Sequence, residues 1–505
     1  MLAKDKANSD VLHSWNDAIP NRLTIFTFIW ACQAIVHQVF YARWLYEGNP
    51  FGWILTGFIV ASLLFPRSMG LFSLMLISSI VYNIGNWPFV VNHILLESVI
   101  NLTILGAIAT TIFKRRQAPK TDAEMRDCIF ERFAPVVGAM MILMYYFILV
   151  TKLNWDFLNP DRSCNADFWL DVVDRFSFIS LPTAPWVFYA TLHVFLIVEI
   201  VIPLFLCFRK TRYLALIIGI PFHFLLGLIG HWTFSSFIFA LYGLVSIDSV
   251  AVLLTDIKVR VGELRVKQFA LAARWGLGTF SVVMTIIFMT GIYAIGTGPL
   301  AIFADGSGYR LWFLWALVIG AFFYVAMYQS YVNKDTMPTL FWSSRPGWVW
   351  IMLGVVVING FSPYLGLKTQ TSFAMYSNLR TEGGVNNHVF MPALRLANYQ
   401  DDLVEIVETD HPVLKHLITK SALKDREQIE RKLSLVYFEF RRIISETDPN
   451  VDFYVNYRRD DNLQLYKCCD ENTPKSELSR PHPIVLAKLL RFRPVFTGEA
   501  SYCQH

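Results

Sequence analysis

The sequence predicts an all-α bundle of about eleven transmembrane helices, followed by a small α+β extramembrane domain. Three observations support this fold class. Of the 505 residues, 54% are hydrophobic and only 16% are charged, a composition that excludes an ordinary soluble globule. Apolar runs long enough to cross a bilayer recur up to about residue 367. Beyond that point charged residues become frequent, which indicates a separate domain.

The spans are predicted from the N-terminus onwards. Residues 1–20 are polar and include Lys4, Asp5 and Lys6, so we expect a cytoplasmic segment without a cleavable signal peptide. Runs of about 18 to 25 apolar residues then predict spans at roughly 22–46, 50–66, 68–86, 88–113, 134–153, 186–208, 213–230, 232–255, 271–295, 309–332 and 347–367. We divide these spans into a bundle over 21–255 and additional helices over 256–367.

Loop charges predict the orientation. Basic residues follow the fourth, sixth and eighth spans, and such loops remain in the cytoplasm. The loop after the fifth span is acidic and is expected outside, together with the C-terminal domain. We expect a multi-pass protein of a bacterial inner membrane rather than of the endoplasmic reticulum. The net charge of +5 lies mostly in these loops, so it reports orientation and gives no support for nucleic-acid binding.

Two regions outside the spans have patterns of their own. Residues 153–185 mix apolar with acidic side chains, which predicts an amphipathic helix on the outer surface. In the C-terminal domain, 368–505, a helix is predicted from apolar residues spaced by three and four, namely Ile429, Leu433, Val436, Phe440 and Ile443. Alternation on both sides of 458–462 predicts a hairpin. A closing helix is expected near Pro483 to Leu490.

Seven cysteines are present. A structural disulfide from the Cys468–Cys469 pair to Cys503 is predicted, because these residues are expected on the oxidising side of the membrane. The spacing of the adjacent pair does not match a Cys-x-x-Cys redox motif.

Ionisable side chains are predicted to gather in one half of the bilayer. Lys152 closes the apolar run 134–151, at the outer end of the fifth span. With a rise of about 1.5 Å per residue, the other members at a similar depth are His37, His93, Glu97, His193, His223 and His231. Glu97 lies one helical turn from His93, so the two side chains could share a proton. A polar cluster at one membrane depth indicates a functional site.

Each member also has a purely structural interpretation. Histidine and glutamate side chains in helix bundles form interhelical hydrogen bonds, and a lysine near the interface can extend to water. A shared depth for the whole set favours a site, because each ionisable group costs about 2.5 to 3.5 kcal/mol at the bilayer centre. A metal is not predicted, since no two of these histidines have helical i,i+3 or i,i+4 spacing. An amine partly withdrawn from water can instead accept a proton from a weak acid such as a quinol.

Three motifs carry a resemblance to a known family. They are the lysine segment Tyr145–Leu158 with Ser163-Cys164, the Asn92-His93 pair, and the histidine- and phenylalanine-rich segment Pro221–Phe237. In these residues the chain resembles the vitamin K-dependent gamma-carboxylase-like proteins, whose membrane region is the HTTM (horizontally transferred transmembrane) domain. The resemblance covers roughly residues 20–255 and extends to Thr371–Leu379.

The resemblance implies residue roles. Lys152 would be the base that deprotonates reduced vitamin K or another quinol, and His93 would assist carbon dioxide addition. The pocket would include Asn92. Thr151 stands where the family's carboxylase has a second lysine, so glutamate carboxylation is less strongly implied than quinol oxidation.

Three functions remain open on the sequence. The first is an enzyme acting on a quinone-like substrate delivered by membrane lipid. The second is a transporter in which the histidine and glutamate layer conducts protons or binds solute. The third is a non-catalytic scaffold whose C-terminal domain binds a protein partner.

Overall fold

A computed structural model describes residues 21–40, 48–113, 121–176, 180–261, 307–332, 347–423, 432–448, 450–468, 477–497 and Cys503. This part of the chain is mostly helical, with a small β-sheet in the C-terminal region. The described residues up to 361 contain helices α1 Arg22–Phe40, α2 Pro50–Leu64, α3 Met69–Asn86, α4 Asn92–Phe113, α5 Asp122–Lys152, α6 Cys164–Arg175, α7 Pro185–Cys207, α8 Arg212–Leu228, α9 Trp232–Val245, α10 Ile247–Val261, α11 Ser307–Val332 and α12 Trp348–Phe361.

Several of these helices have the length and apolar composition of membrane spans. Among the described residues, α3, α4, α5 and α7 are long and apolar enough to cross a membrane. Helices α9 and α10 pass the same test as a pair but are bent by 74° at their junction, where the sequence predicted one span over 232–255. Shorter apolar helices occur at α2, α8, α12 and within α11. The number of eleven spans is not confirmed, and the predicted span 271–295 lies outside the described residues.

The chain forms two compact units. The first unit comprises 1–85, 96–142 and 198–353, and the second comprises 86–95, 143–197 and 354–505. The predicted divisions after residues 255 and 367 do not coincide with these units, because the C-terminal region groups with parts of the helical region.

Aromatic residues and close helix contacts build the core of the first unit. The buried ring of Phe26 contacts Trp30 on its own helix and three further phenylalanines, Phe72, Phe130 and Phe133. Gly219 lets α8 approach α9 closely, because a Cβ there would lie 2.1 Å from the hydroxyl of Tyr242. Any side chain at position 219 would therefore displace the tyrosine.

The second unit contains an antiparallel sheet of order β4-β3-β1-β2-β5. Its elements are β1 Leu403–Thr409, α13 Pro412–Leu423, β2 Lys432–Val436, α14 Tyr437–Ser445, β3 Tyr454–Arg459, β4 Asn462–Lys467, a 3-10 turn Glu477–Ser479, α15 Ile484–Leu489 and β5 Val495–Thr497. The hairpin predicted around 458–462 is confirmed as β3 and β4. The predicted closing helix is confirmed as α15, and α6 occupies the segment where an amphipathic helix was expected.

One predicted helix is wrong. Leu433 and Val436 belong to β2, and α14 begins only at Tyr437, while Ile429 lies outside the described residues. The apolar residues spaced by three and four therefore belong partly to a strand and partly to a helix, not to one helix. β2 pairs with β1 on one side and β5 on the other, and these long-range hydrogen bonds override a local helical pattern.

The predicted disulfide is also wrong. Cys503 bonds to Cys164 at the start of α6, rather than to Cys468 or Cys469, and Cys469 lies outside the described residues. Sequence spacing could not identify this pair, because 339 positions separate the two cysteines.

Candidate functional site

Lys152 ends α5 and is removed from water. The residue is only 2% exposed. Its Nζ atom lies 4.8 Å from the ring centroid of Phe195 and 5.9 Å from that of Phe157. Phe157 and Phe195 belong to an apolar cluster around the Cys164–Cys503 disulfide, together with Leu192, Leu196 and Tyr376. The amine therefore lies beside two aromatic rings and away from bulk solvent.

The C-terminal end of α5 is held by a neighbouring loop. The last carbonyls of a helix lack partners within it, and here other groups bond them. Nε2 of His388 lies 2.8 Å from the carbonyl oxygen of Val150, and Nδ2 of Asn154 donates to that of Thr151 at 2.8 Å. Val389 N donates to the carbonyl of Leu153 at 3.0 Å. These bonds fix the turn that carries Lys152.

His388 is held in one tautomer. Its Nδ1 atom accepts from the backbone N–H groups of Phe390 and Met391 at 3.2 and 2.9 Å, so the hydrogen sits on Nε2 and is donated to Val150. Burial lowers the pKa of His388 from its usual value, which agrees with a neutral ring. The side chain therefore links the loop to α5.

The segment 371–378 has an unusual backbone. Thr371, Phe373, Tyr376 and Asn378 have φ values of 54°, 61°, 49° and 52°, a left-handed conformation that costs energy without glycine. The segment is bonded to several helix ends. Asn92, at the start of α4, accepts from Phe373 N at 2.6 Å, and Asn378 accepts from Cys164 N at 2.8 Å. Strained backbone of this kind persists where surrounding contacts fix it, and it is frequent at functional sites.

The second unit also contains two other predicted site histidines. His93 is 4% exposed, in the first turn of α4. His193 is instead exposed on α7, where its Nδ1 bonds the carbonyl of Tyr189 one turn earlier at 2.7 Å. That His193 lines a pocket stays a prediction, and in the structure its ring lies on an exposed face of α7.

In the first unit, His37 and Glu97 form a buried pair. Nδ1 of His37 lies 2.8 Å from Oε2 of Glu97, and the side chains are 4% and 5% exposed. Nε2 of His37 lies 3.0 Å from the carbonyl oxygen of Thr233, and Ser79 donates to Oε1 of Glu97 at 3.2 Å. The contacts join α1, α3, α4 and α9.

A hydrogen atom must lie between Nδ1 of His37 and Oε2 of Glu97, because the two atoms are at hydrogen-bond distance. The carbonyl of Thr233 can only accept, so Nε2 of His37 carries a hydrogen. The contact with Glu97 then requires a second hydrogen, either on Nδ1 or on the carboxyl group. In both arrangements the pair has no net charge, which lowers the cost of burying it.

His223 and His231 lie in the same unit but have other surroundings. Nδ1 of His223 lies 2.8 Å from the carbonyl of Gly219 and 3.3 Å from the hydroxyl of Tyr242. His231 is half-buried and precedes α9. The predicted layer is thus divided: His37, Glu97, His223 and His231 belong to the first unit, and Lys152, His93, Asn92 and His193 to the second.

Sequence reasoning missed His388, Asn154 and Phe195. His388 and Asn154 act through backbone carbonyls, and Phe195 is one of 41 phenylalanines, so no spacing pattern marks them. A weak signal was available for Asn154, which lies within the lysine segment Tyr145–Leu158, two residues after Lys152, and precedes a turn.

Among the described residues, no group of three or more His, Cys, Asp or Glu side chains is arranged to hold a metal ion. The helices are compatible with a multi-pass membrane protein. No protein-family model, curated protein or solved structure matches the chain.

Proposed function

We propose that the protein is a multi-pass membrane enzyme in which Lys152 removes a proton from a quinol-like lipophilic substrate. The observation that supports this most is the placement of one buried amine against Phe157 and Phe195, at the end of an apolar helix. This function also follows from the resemblance to the vitamin K-dependent gamma-carboxylase-like proteins. Reduced vitamin K is the substrate that the resemblance implies, and the surrounding phenylalanines suit its fused ring.

The chemistry begins with transfer of a hydroxyl proton to the amine of Lys152. The hydroxyl O–H bond breaks, a new N–H bond forms, and the substrate becomes an anion. The face of Phe195 then stabilises the ammonium that results. Molecular oxygen would oxidise this anion, as the family resemblance implies. His93, buried in the same unit, is the proposed second group of the site.

The proposed topology has about eleven spans, a cytoplasmic N-terminus and a C-terminal region outside, in a bacterial inner membrane. The sheet supports an extramembrane C-terminal region, because β4 and β5 are its edge strands among the described residues and an unpaired strand edge is not tolerated in lipid. The Cys164–Cys503 disulfide supports an outer, oxidising location.

The enzymatic proposal is tested with purified protein in lipid nanodiscs, reduced naphthoquinone and oxygen. We expect formation of quinone or epoxide, and we expect Lys152→Met to abolish it while substrate binding is retained. Lys368→Met is the matched control, since it also removes a largely buried lysine of the second unit. Unchanged turnover in Lys152→Met would refute the proposal.

A second candidate function is proton conduction through the first unit. A hydrogen-bonded series of groups that can exchange protons runs from Ser79 through Glu97 to His37, with distances of 3.2 and 2.8 Å. Such a series of polar groups between helices is typical of proton pathways.

Proton flux into proteoliposomes containing a pH-sensitive dye tests this candidate. If the series conducts, Glu97→Gln will reduce the flux, whereas His193→Gln, on the exposed face of α7, will not. Equal flux in wild type, Glu97→Gln and empty vesicles would exclude conduction.

A further inference from the structure

Two exposed apolar segments of the second unit have the properties of a membrane-contacting surface. We propose that the C-terminal region rests on the surface of the lipid bilayer through these segments, which we call the interfacial patch. The patch consists of Phe390, Leu394 and Leu396 in the loop before β1, and Ile484, Val485 and Leu489 of α15.

The patch is unusually exposed for apolar side chains. Leu396 and Ile484 are 74% and 76% exposed, and the remaining four members are between 50% and 64% exposed. Leu486 packs inwards against the cluster that contains Phe438 and Phe492. Helix α15 is therefore anchored by Leu486 and by the bond from Arg442 to the carbonyl of Ala487 at 3.2 Å, while its apolar members of the patch are exposed.

The first segment of the patch is tied to the end of α12. Leu396 N donates to the carbonyl of Leu365 at 2.9 Å, four residues after that helix ends. Gly366 permits the contact, because its φ is +75° and a Cβ there would lie 2.3 Å from the carbonyl oxygen of Ala397. The loop is thus held at the point where an apolar helix stops.

The second segment is tied to the turn between α3 and α4. The guanidinium of Arg491 lies 4.8 Å from the ring centroid of Phe89 and donates to the carbonyl of Pro88 at 3.4 Å. Both helices that flank this turn are long and apolar enough to span a membrane. Leu489, two residues before Arg491, therefore lies close to the start of α4.

Lipid is the occupant that this arrangement favours. The first segment is bonded near the end of α12, and the second lies near the start of α4. The boundary between acyl chains and head groups is expected at such helix ends. Binding of a protein partner or of a second copy of the chain does not require the patch to lie at the ends of apolar helices, whereas binding of lipid does.

Spin labels in reconstituted protein test the proposal. One label is placed at Val485→Cys and a matched control at Leu463→Cys on β4, since both native residues are 64% exposed. Five cysteines are first changed to serine and the disulfide is kept; the changed residues are Cys32, Cys128, Cys207, Cys468 and Cys469. Collisions with oxygen, which concentrates in lipid, are compared with collisions with a water-soluble nickel chelate in phosphatidylethanolamine–phosphatidylglycerol vesicles.

We expect the ratio of oxygen to nickel collisions to be several-fold higher at position 485 than at position 463. A ratio at 485 equal to that of the control would place α15 in water and overturn the proposal. Shielding of the label from both reagents would also overturn it, in favour of contact with protein. Equal unfolding temperatures of the two labelled proteins show that both remain folded.

Discussion

At the scale of single residues, the His37–Glu97 bond shows how ionisable groups are retained inside a helical unit. Either side chain alone would carry an unpaired charge or an unused polar atom in a buried place, which is costly. Together they share one proton across 2.8 Å and remain neutral as a pair. Ser79 bonds the second carboxyl oxygen of Glu97 and Thr233 bonds the second ring nitrogen of His37, so both side chains are held on two sides.

Replacing Glu97 tests this explanation. We expect Glu97→Ala to destabilise the protein by about 3 kcal/mol, because it leaves His37 and Ser79 buried without their partner. Glu97→Gln should cost only about 1 kcal/mol, since its amide can donate to Nδ1 of His37 and accept from Ser79. Unfolding in detergent measures both changes. Equal losses in the two variants would contradict the explanation, because they would show that the hydrogen bonds kept by glutamine do not preserve stability.

Lys368 predicts a pH dependence. Burial lowers the pKa of this amine to about 8 from its ordinary 10.5. Between these values the unfolded chain binds more protons than the folded one, so the free energy of unfolding should rise as the pH increases from about 8. The measurement is the unfolding temperature of wild type and Lys368→Met from pH 7 to 10. A rise of the same size in the variant would exclude Lys368 as its source.

At the scale of elements, the end of α5 depends on a loop more than two hundred residues later in the chain. His388 bonds Val150 and two backbone N–H groups of its own loop, so it connects the two segments. The strained residues of 371–378 are anchored nearby to the starts of α4 and α6. Lys152 is therefore positioned by long-range contacts and by its helix together.

His388→Ala tests the role of this loop. We expect a loss of about 2 kcal/mol or more, because three hydrogen bonds disappear, one of them buried and two part-buried. Amide hydrogen exchange should also become faster in residues 149–153, at the end of α5. His411→Ala is the control, since that ring is buried beside the sheet and bonds Thr447 instead. Slow exchange in 149–153 for both variants would contradict the assigned role.

At the scale of the whole molecule, the disulfide ties the end of the chain to the start of α6. Both cysteines are buried in one cluster of the second unit, close to the rings that contact Lys152. A disulfide is maintained in an oxidising compartment, so we expect the C-terminal region to lie on the oxidising side of the membrane.

Alkylation in intact cells checks that orientation. Cys164 and Cys503 should react with a maleimide-polymer only after unfolding and reduction, whereas the exposed Cys207 should react without reduction once the membrane is permeable. The band shift on a non-reducing gel is the measurement. Reaction of Cys164 and Cys503 in unfolded, unreduced protein would mean that the bond is absent and the C-terminal region is not on the oxidising side.

The sequence by itself determined the helical class, most helix positions, the hairpin and α15. These features depend on local composition, apolar run length and alternation, which the chain carries in neighbouring residues. It also singled out Lys152, His37, Glu97 and His93, because ionisable groups are rare in apolar runs.

Only the tertiary structure decided which of these residues meet. It paired His37 with Glu97, Cys164 with Cys503 and Lys152 with Phe195, and it turned His193 outwards. It also made 432–436 a strand, because β1 and β5 supply hydrogen bonds that a local pattern cannot contain. The physical reason is the same in each case: the partner lies far along the chain, and packing selects it.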